Sequence, residues 1–277
     1  MSKGQGSPKT ELQTRLRSAL AADDVKAQCL CHLELGSLNG RKGDFVEAAN
    51  HQKEACRLAE QLDEGLLAIA SENFGVSLVR MGRFPEGIVR LRTAERIFRT
   101  SEDRRSLCYL LNKLAVAHIN AGETNEAQAC LLEAFALAKA EGEARAARDV
   151  LGNLGLLSLR RGRPEAAQAF LRESIAYIEQ GEGGAFVFDM YKRLALALAE
   201  AGDSNSAIDT LKQCLVDFAP QGTSVERGTA KWLLAQLLQA TEQSADAAAQ
   251  ATSAIKELSD LGHPFVGRMK EVVAGWK

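Results

Sequence analysis

Polar side chains recur about every 40 residues along the chain, and their chemistry could recognise a ligand. One column of equivalent positions comprises Glu34, Asn73, Lys113, Asn153, Arg193 and Leu233. Its carboxamides offer both donors and acceptors, which suits the backbone of a bound peptide. Its cations favour a ligand that carries a carboxylate, as do Arg80 and Arg160, which each follow a column asparagine by seven residues. The alternative, an ordinary solvated polar helix face, stays open at this point.

Side chains suited to metal binding or catalysis are dispersed. The four histidines are far apart in sequence, at His32, His51, His118 and His263. Cys29, Cys31 and His32 are neighbours, but side chains this close on one helix splay around its axis, so Cys29 is expected in the core. The glycine-rich segment 180–184 lacks a lysine and follows a predicted helix, which indicates an inter-repeat loop. We therefore expect no catalytic residue, no metal site, no cofactor and no enzymatic activity.

The overall composition excludes several classes of partner. The chain has 34 basic and 36 acidic residues, and a net charge of −2 does not favour nucleic acid or an anionic membrane. No uninterrupted apolar run is long enough for a membrane span. The six cysteines fall within predicted helices, which indicates reduced thiols in a cytoplasmic protein.

An internal repeat organises the sequence. Glycines mark short turns at Gly43, Gly82, Gly122, Gly162 and Gly202, and one further step of 40 residues reaches Glu242. Small residues stand seven positions before each turn and five positions after it, where closely packed antiparallel helices need them. The turn glycines supply the positive φ that ends a first helix. The expected caps of the second helices are Asp44, Thr124, Ser204 and Ser244.

These columns resemble the tetratricopeptide repeat (TPR) family, in its longer 40-residue variety. The resemblance rests on segments such as N-L-G-L-L-S-L-R-R-G-R-P-E-A-A-Q-A-F and E-L-G-S-L-N-G-R-K-G-D-F-V-E-A-A. It extends from roughly Asp24 to Asp260. It implies an all-α fold, a right-handed α-solenoid of six helix-turn-helix repeats with a C-terminal capping helix.

The expected domain organisation follows from the repeat register. Residues 1–9 are a disordered lead-in, 10–23 a leading helix and 263–277 a capping helix. The six repeats are expected at 24–62, 63–101, 102–141, 142–181, 182–221 and 222–262. Phe265, Met269 and Trp276 share a stripe of the last helix, which either caps its own stack or docks on another chain.

The resemblance also implies that the polar column faces a concave groove. The groove residues expected to bind a partner are Asn73, Arg80, Asn112, Lys113, Asn153, Arg160, Lys192 and Arg193. The favoured function is a scaffold or adaptor that binds a peptide or helix of a partner protein, with acidic residues as the preferred chemistry. Two alternatives are a regulatory sensor that binds a signalling peptide and switches a separate effector chain, and a structural protein that self-assembles through its end helices.

Overall fold

A computed structural model describes residues 7–178 and 187–276, and this part of the chain is helical with no strand. Its helices are α1 (Pro8–Ala21), α2 (Val25–Arg41), α3 (Phe45–Ala59), α4 (Glu64–Arg80), α5 (Phe84–Thr100), α6 (Arg104–Ala121), α7 (Thr124–Ala140), α8 (Ala144–Arg160), α9 (Pro164–Tyr177), α10 (Val187–Glu200), α11 (Ser204–Asp217), α12 (Ser224–Ala240), α13 (Ser244–Ser259) and α14 (Val266–Ala274). The predicted loop at 180–184 lies outside the described residues.

Contacts between the helices divide the chain into two compact units, residues 1–143 and residues 144–277. Unit one carries α1 and three packed helix pairs, α2–α3, α4–α5 and α6–α7. Unit two carries the pairs α8–α9, α10–α11 and α12–α13, followed by α14. The helix pairs follow the register of the sequence repeat, while the exact boundaries between repeats stay a prediction.

The turn inside each helix pair has a residue with positive φ. The five turn glycines have φ between +64° and +88°. Glu242 occupies the sixth turn with φ of +63°, although a side chain makes this conformation unfavourable. Packing of α12 against α13 therefore holds the turn in the geometry that glycine provides in the other pairs. The spacing of the turns along the sequence predicted a turn at position 242, although the residue there is not a glycine.

Replacing Glu242 by glycine is expected to stabilise unit two by about 0.5–1 kcal/mol. The strain of a side chain at positive φ would be removed, and the greater freedom of the unfolded glycine offsets part of that gain. Gly202→Ala is the matched control at the equivalent turn, where φ is +88°, and it should destabilise. Chemical denaturation of the three proteins measures both effects, and a Glu242→Gly chain less stable than the wild type would contradict the strain argument.

Small residues allow the two helices of a pair to approach each other closely. In α4–α5 the contact joins two glycines, because a Cβ built on Gly75 would lie 2.9 Å from the carbonyl oxygen of Gly87, and the reverse distance is also 2.9 Å. In α6–α7 the same positions are Ala115 and Ala127, both fully buried. Pairs of small residues therefore set the spacing of the helices, as the sequence columns indicate.

Helix capping differs by one residue from the sequence expectation in three pairs. Asp44 caps α3 as predicted, since its side chain accepts from the backbone N–H of Glu47. Thr124, Ser204 and Ser244 are instead the first residues of their helices. In α11 the cap is Asp203, whose carboxylate accepts from the Ser206 N–H. An aspartate ahead of a serine competes for the same role, and here the aspartate takes it.

Both end helices differ from their predicted bounds. The helix α1 begins at Pro8, inside the predicted lead-in, because the Ser7 side chain accepts from the Thr10 N–H and proline fits a first helical turn. Residues 1–6 of that lead-in lie outside the described residues. In unit two, Trp276 stacks on Trp232 of α12, with ring centroids 5.9 Å apart. The C-terminal segment thus contacts its own stack.

The six cysteines are buried thiols with no disulfide. Cys29 is in the core as expected, and its Sγ donates to the carbonyl oxygen of Ala55 at 3.5 Å. Burial raises the pKa of Cys108 to about 11 and that of Cys214 to about 12. No helix in the described part of the chain has the length and apolar character needed to cross a bilayer.

Candidate partner-binding surface

Four of the predicted groove residues lie together on the first helices of unit one. A pocket of about 460 Å³ between α4 and α6 is lined by Arg80, Asn112 and Lys113. An adjoining pocket of about 350 Å³ between α2 and α4 is lined by Asn73 and, again, by Arg80. Because the two pockets share Arg80 and Val76, we treat them as one surface, which we call the unit-one groove.

The polar groups of the unit-one groove differ in what they already bind. Lys113 forms an ion pair with Glu72 of α4, so its charge is already compensated. Arg80 is exposed and has no ion-pair partner within the described residues. Arg41 at the end of α2 lines the same surface and is likewise exposed. Unpaired guanidinium groups over a recess favour a carboxylate ligand, since they can donate two parallel hydrogen bonds to it.

A buried glutamine supports the backbone of the groove at Asn73. Gln52 of α3 is only 3% exposed and sits against α4. With its amide nitrogen directed at α4, it donates to Ser77 Oγ at 2.7 Å and to the carbonyl oxygen of Asn73 at 3.2 Å. These bonds join the second helix of one pair to the first helix of the next. They leave the Asn73 side chain to face the pocket.

The four predicted residues of unit two have more varied surroundings. Arg193 donates to the carbonyl oxygen of Gly152 at 2.9 Å and forms an ion pair of 2.6 Å with Asp189. It also approaches Asn153 Oδ1 at 3.5 Å, so it joins α10 to α8. Lys192 donates to the Thr229 hydroxyl of α12 at 3.2 Å. Arg160 is exposed at the end of α8.

The sequence analysis did not predict the apolar floor of the unit-one groove. Val76 and Val116 line it, together with Phe84 at the start of α5. Val76 and Val116 stand three residues after Asn73 and Lys113, one helical turn further along the same face. An apolar column three residues after the polar column could therefore have been predicted from the repeat. Apolar floors with a few polar groups at the rim are typical of ligand sites.

Two of the four histidines are in contact, although their sequence positions suggested that all four are separate. His32 of α2 and His51 of α3 place their Nδ1 atoms 3.0 Å apart. Burial lowers the pKa of both side chains, and for His32 the neighbouring His51 lowers the pKa further. Within residues 7–178 and 187–276, no three His, Cys, Asp or Glu side chains are placed to hold one metal ion.

Unit one is expected to lose stability as the pH falls through the lowered pKa values of this histidine pair. A histidine with a folded pKa below its unfolded value contributes stability that is complete above the unfolded pKa of about 6.5 and is lost at lower pH. The replacement His51→Gln should reduce the loss of melting temperature between pH 7 and pH 5. Thermal unfolding across that range, with His32→Asn as a second variant, measures the effect, and unchanged slopes in both variants would refute it.

Part of the chain matches a known family in sequence. Residues 106–180 match the family model of the tetratricopeptide repeat. No curated protein matches the chain in sequence. The matched region runs from α6 through the end of α9, and thus includes two of the helix pairs.

Solved structures extend the similarity over most of the chain. BtubC from P. vanneervenii has a TM-score of 0.67 at 20% identity, covering 80% of this chain and 94% of that one. A Rap protein complexed with Competence and Sporulation Factor has a TM-score of 0.67 at 15% identity, covering 100% and 90%. A tetratricopeptide repeat protein from Parabacteroides merdae has a TM-score of 0.63 at 13% identity, covering 97% and 98%. At these identities the similarity establishes the fold.

The helix pairs and the similarity to solved structures define the fold class, an α-solenoid of helical repeats. The match to the tetratricopeptide repeat model covers the pairs α6–α7 and α8–α9, whose turns at Gly122 and Gly162 belong to the repeat register of the sequence.

Proposed function

We propose that the chain is a scaffold or adaptor that binds a segment of a partner protein in the unit-one groove. The observation that carries this proposal is the pair of adjoining pockets that meet at Arg80, whose charge has no ion-pair partner within the described residues. The preferred partner segment carries a carboxylate for Arg80 and an apolar side chain for the floor at Val76 and Val116. Asn73 and Asn112 hold the backbone of that segment.

The unit-two residues Asn153, Arg160, Lys192 and Arg193 stay predicted partner-binding residues in this proposal. Arg193 contributes less charge than Arg80, since Asp189 lies 2.6 Å from its guanidinium group. We propose no catalytic role and no cofactor for the chain. Six buried thiols without a disulfide support a reducing compartment, and we propose that the protein is cytoplasmic.

The groove is tested by capture of binding partners from lysate with the wild type and with Asn73→Ala/Arg80→Glu. A partner lost by the variant is then reduced to the peptide segment that binds, and the affinity of this segment is measured for both proteins. We expect at least a tenfold loss of affinity, because the replacement removes an amide contact and reverses the charge that pairs with the carboxylate. Lys26→Glu is the control, since it reverses an exposed charge near the start of α2. Equal affinity of all three proteins would exclude the groove.

A second candidate function is a sensor that binds a small peptide and acts on a separate effector chain. It is favoured by the fold similarity to a Rap protein complexed with Competence and Sporulation Factor. A sensor of this kind should bind its peptide without a second protein and change shape on binding. Small-angle scattering of the chain with and without the captured peptide separates the two candidates, because a scaffold is expected to keep its dimensions.

A further inference from the structure

Unit one has a second recess, on the opposite side of α4 from the groove. Asn73 and Arg80 of α4 line the groove, whereas Phe74 and Leu78 of the same helix form the floor of this other pocket. Its volume is about 410 Å³, and its walls are the second helices α3 and α5. We call it the α3–α5 pocket. Its other lining residues are Ala49, Asn50, Lys53, Arg83, Glu86, Val89 and Arg90.

The rim of the α3–α5 pocket carries uncompensated positive charge. Lys53 is exposed, and neither Lys53 nor Arg90 has an ion-pair partner in the part of the chain that the structure describes. The one carboxylate of the lining, Glu86, is already held by Arg83 through bonds of 2.7 and 2.5 Å. A ligand carboxylate at this rim would therefore meet two available cations and no free anion.

The apolar part of the pocket consists of a buried floor and one exposed side chain. Phe74 forms the floor, and the guanidinium carbon of Arg90 lies 5.3 Å from the centre of its ring. Val89 on the wall is 63% exposed, so its side chain is accessible to a ligand. The combination of an aromatic floor, an exposed aliphatic wall and a positive rim matches one apolar side chain flanked by carboxylates.

We infer that the α3–α5 pocket is a second docking site, which takes an acidic protein segment with one large apolar side chain. The apolar side chain lies against Val89 and the edge of Phe74 that Arg90 does not cover, and the flanking carboxylates reach Lys53 and Arg90. The site is built on the second helices α3 and α5 and on Phe74 and Leu78 of α4, and it shares no lining residue with the proposed groove. A chain with both sites can hold two partners on opposite faces of the same helix pairs, which is what an adaptor requires.

The probe for this site is a capped hexapeptide with one phenylalanine and five glutamate or aspartate residues. Titration into the full chain is followed by NMR of the valine and leucine methyl groups. We expect saturable shifts at Val89 and Leu78, which line the α3–α5 pocket, with a dissociation constant of about 0.1–1 mM for so short a peptide. The methyl groups of Val116 report on the groove in the same spectra.

Two replacements test the charges of the rim. Lys53→Glu and Arg90→Gln should each weaken binding of the peptide by about tenfold, while Lys26→Glu on α2 should leave it unchanged. A peptide with serine in place of phenylalanine, and one with amides in place of the carboxylates, should both bind more weakly than the probe. Each of these results supports the second site.

Other outcomes overturn it in distinguishable ways. Shifts confined to Val116 would assign the peptide to the groove, which would refute the second site while supporting the proposed function. Shifts at Val89 that Lys53→Glu and Arg90→Gln leave unchanged would refute the charge complementarity. The absence of any saturable shift up to about 2 mM peptide would refute the site itself and leave the groove to its own test.

Discussion

Replacing Gly87 by valine is expected to lower the free energy of unfolding of unit one by about 3 kcal/mol. A Cβ at this position would lie 2.7 Å from Val79 Cγ2 and 2.9 Å from the carbonyl oxygen of Gly75. The second of these atoms belongs to the backbone of α4, so relief requires the whole helix to move. Valine adds two methyl groups to that contact, which increases the displacement.

Replacing Gly87 by alanine should lower the free energy of unfolding less than replacing it by valine. Gly87→Ala should cost about 1 kcal/mol, since the gain in helix propensity offsets part of the overlap. Gly267→Ala is the matched control, because a Cβ there meets nothing within 4 Å. Denaturant unfolding followed by hydrogen exchange measures the loss and assigns it to unit one. If Gly87→Val is as stable as the wild type, the helices of this pair do not approach as closely as described.

Replacing Phe188 by alanine is expected to destabilise unit two by about 3–5 kcal/mol. The ring is 1% exposed and is the largest fully buried side chain within residues 7–178 and 187–276. It lies directly against Gly222, where a Cβ would overlap the ring. Truncation to alanine therefore removes apolar contacts between α10 and the segment before α12 and leaves a cavity that the helices fill only in part.

Two further variants separate loss of packing from loss of helix stability. Phe188→Leu should cost about 1–1.5 kcal/mol, because leucine fills most of the space. Leu196→Ala on the same helix should cost less, since Leu196 is 39% exposed. Hydrogen exchange in unit two, compared with unit one, locates the loss. An effect of Phe188→Ala no larger than that of Leu196→Ala would show that the ring does not hold α10 in place.

The parts of the fold that sequence reasoning predicted are those set by local repetition. Turn glycines and small residues recur at a nearly constant spacing of 40 residues, so the positions of the turns could be predicted from the sequence. The spacing predicted even the turn at Glu242, where the glycine is missing. The predicted cap of α11 was wrong by one residue because two capping residues adjoin, Asp203 and Ser204. Such competition is decided by backbone geometry at the helix end and not by residue type alone. The residues before α7 and α13 form no side-chain cap.

Features that depend on contacts between residues far apart in the sequence could not be predicted from the repeat. The repeat placed Lys113 and Arg193 in the polar column, but it did not predict that Glu72 and Asp189 compensate their charges. Nor did it bring His32 and His51 together, because their contact depends on how α2 rotates against α3. The α3–α5 pocket depends in the same way on the packing of three helices.

The buried thiols allow unfolding of the protein to be followed by chemical modification of its cysteines. Alkylating and oxidising reagents attack the thiolate, and burial that raises the pKa of Cys108, Cys130 and Cys214 to about 11 or 12 keeps that species scarce. Five cysteines lie in unit one and Cys214 alone in unit two. The order in which a thiol reagent modifies them therefore reports which half of the chain unfolds first.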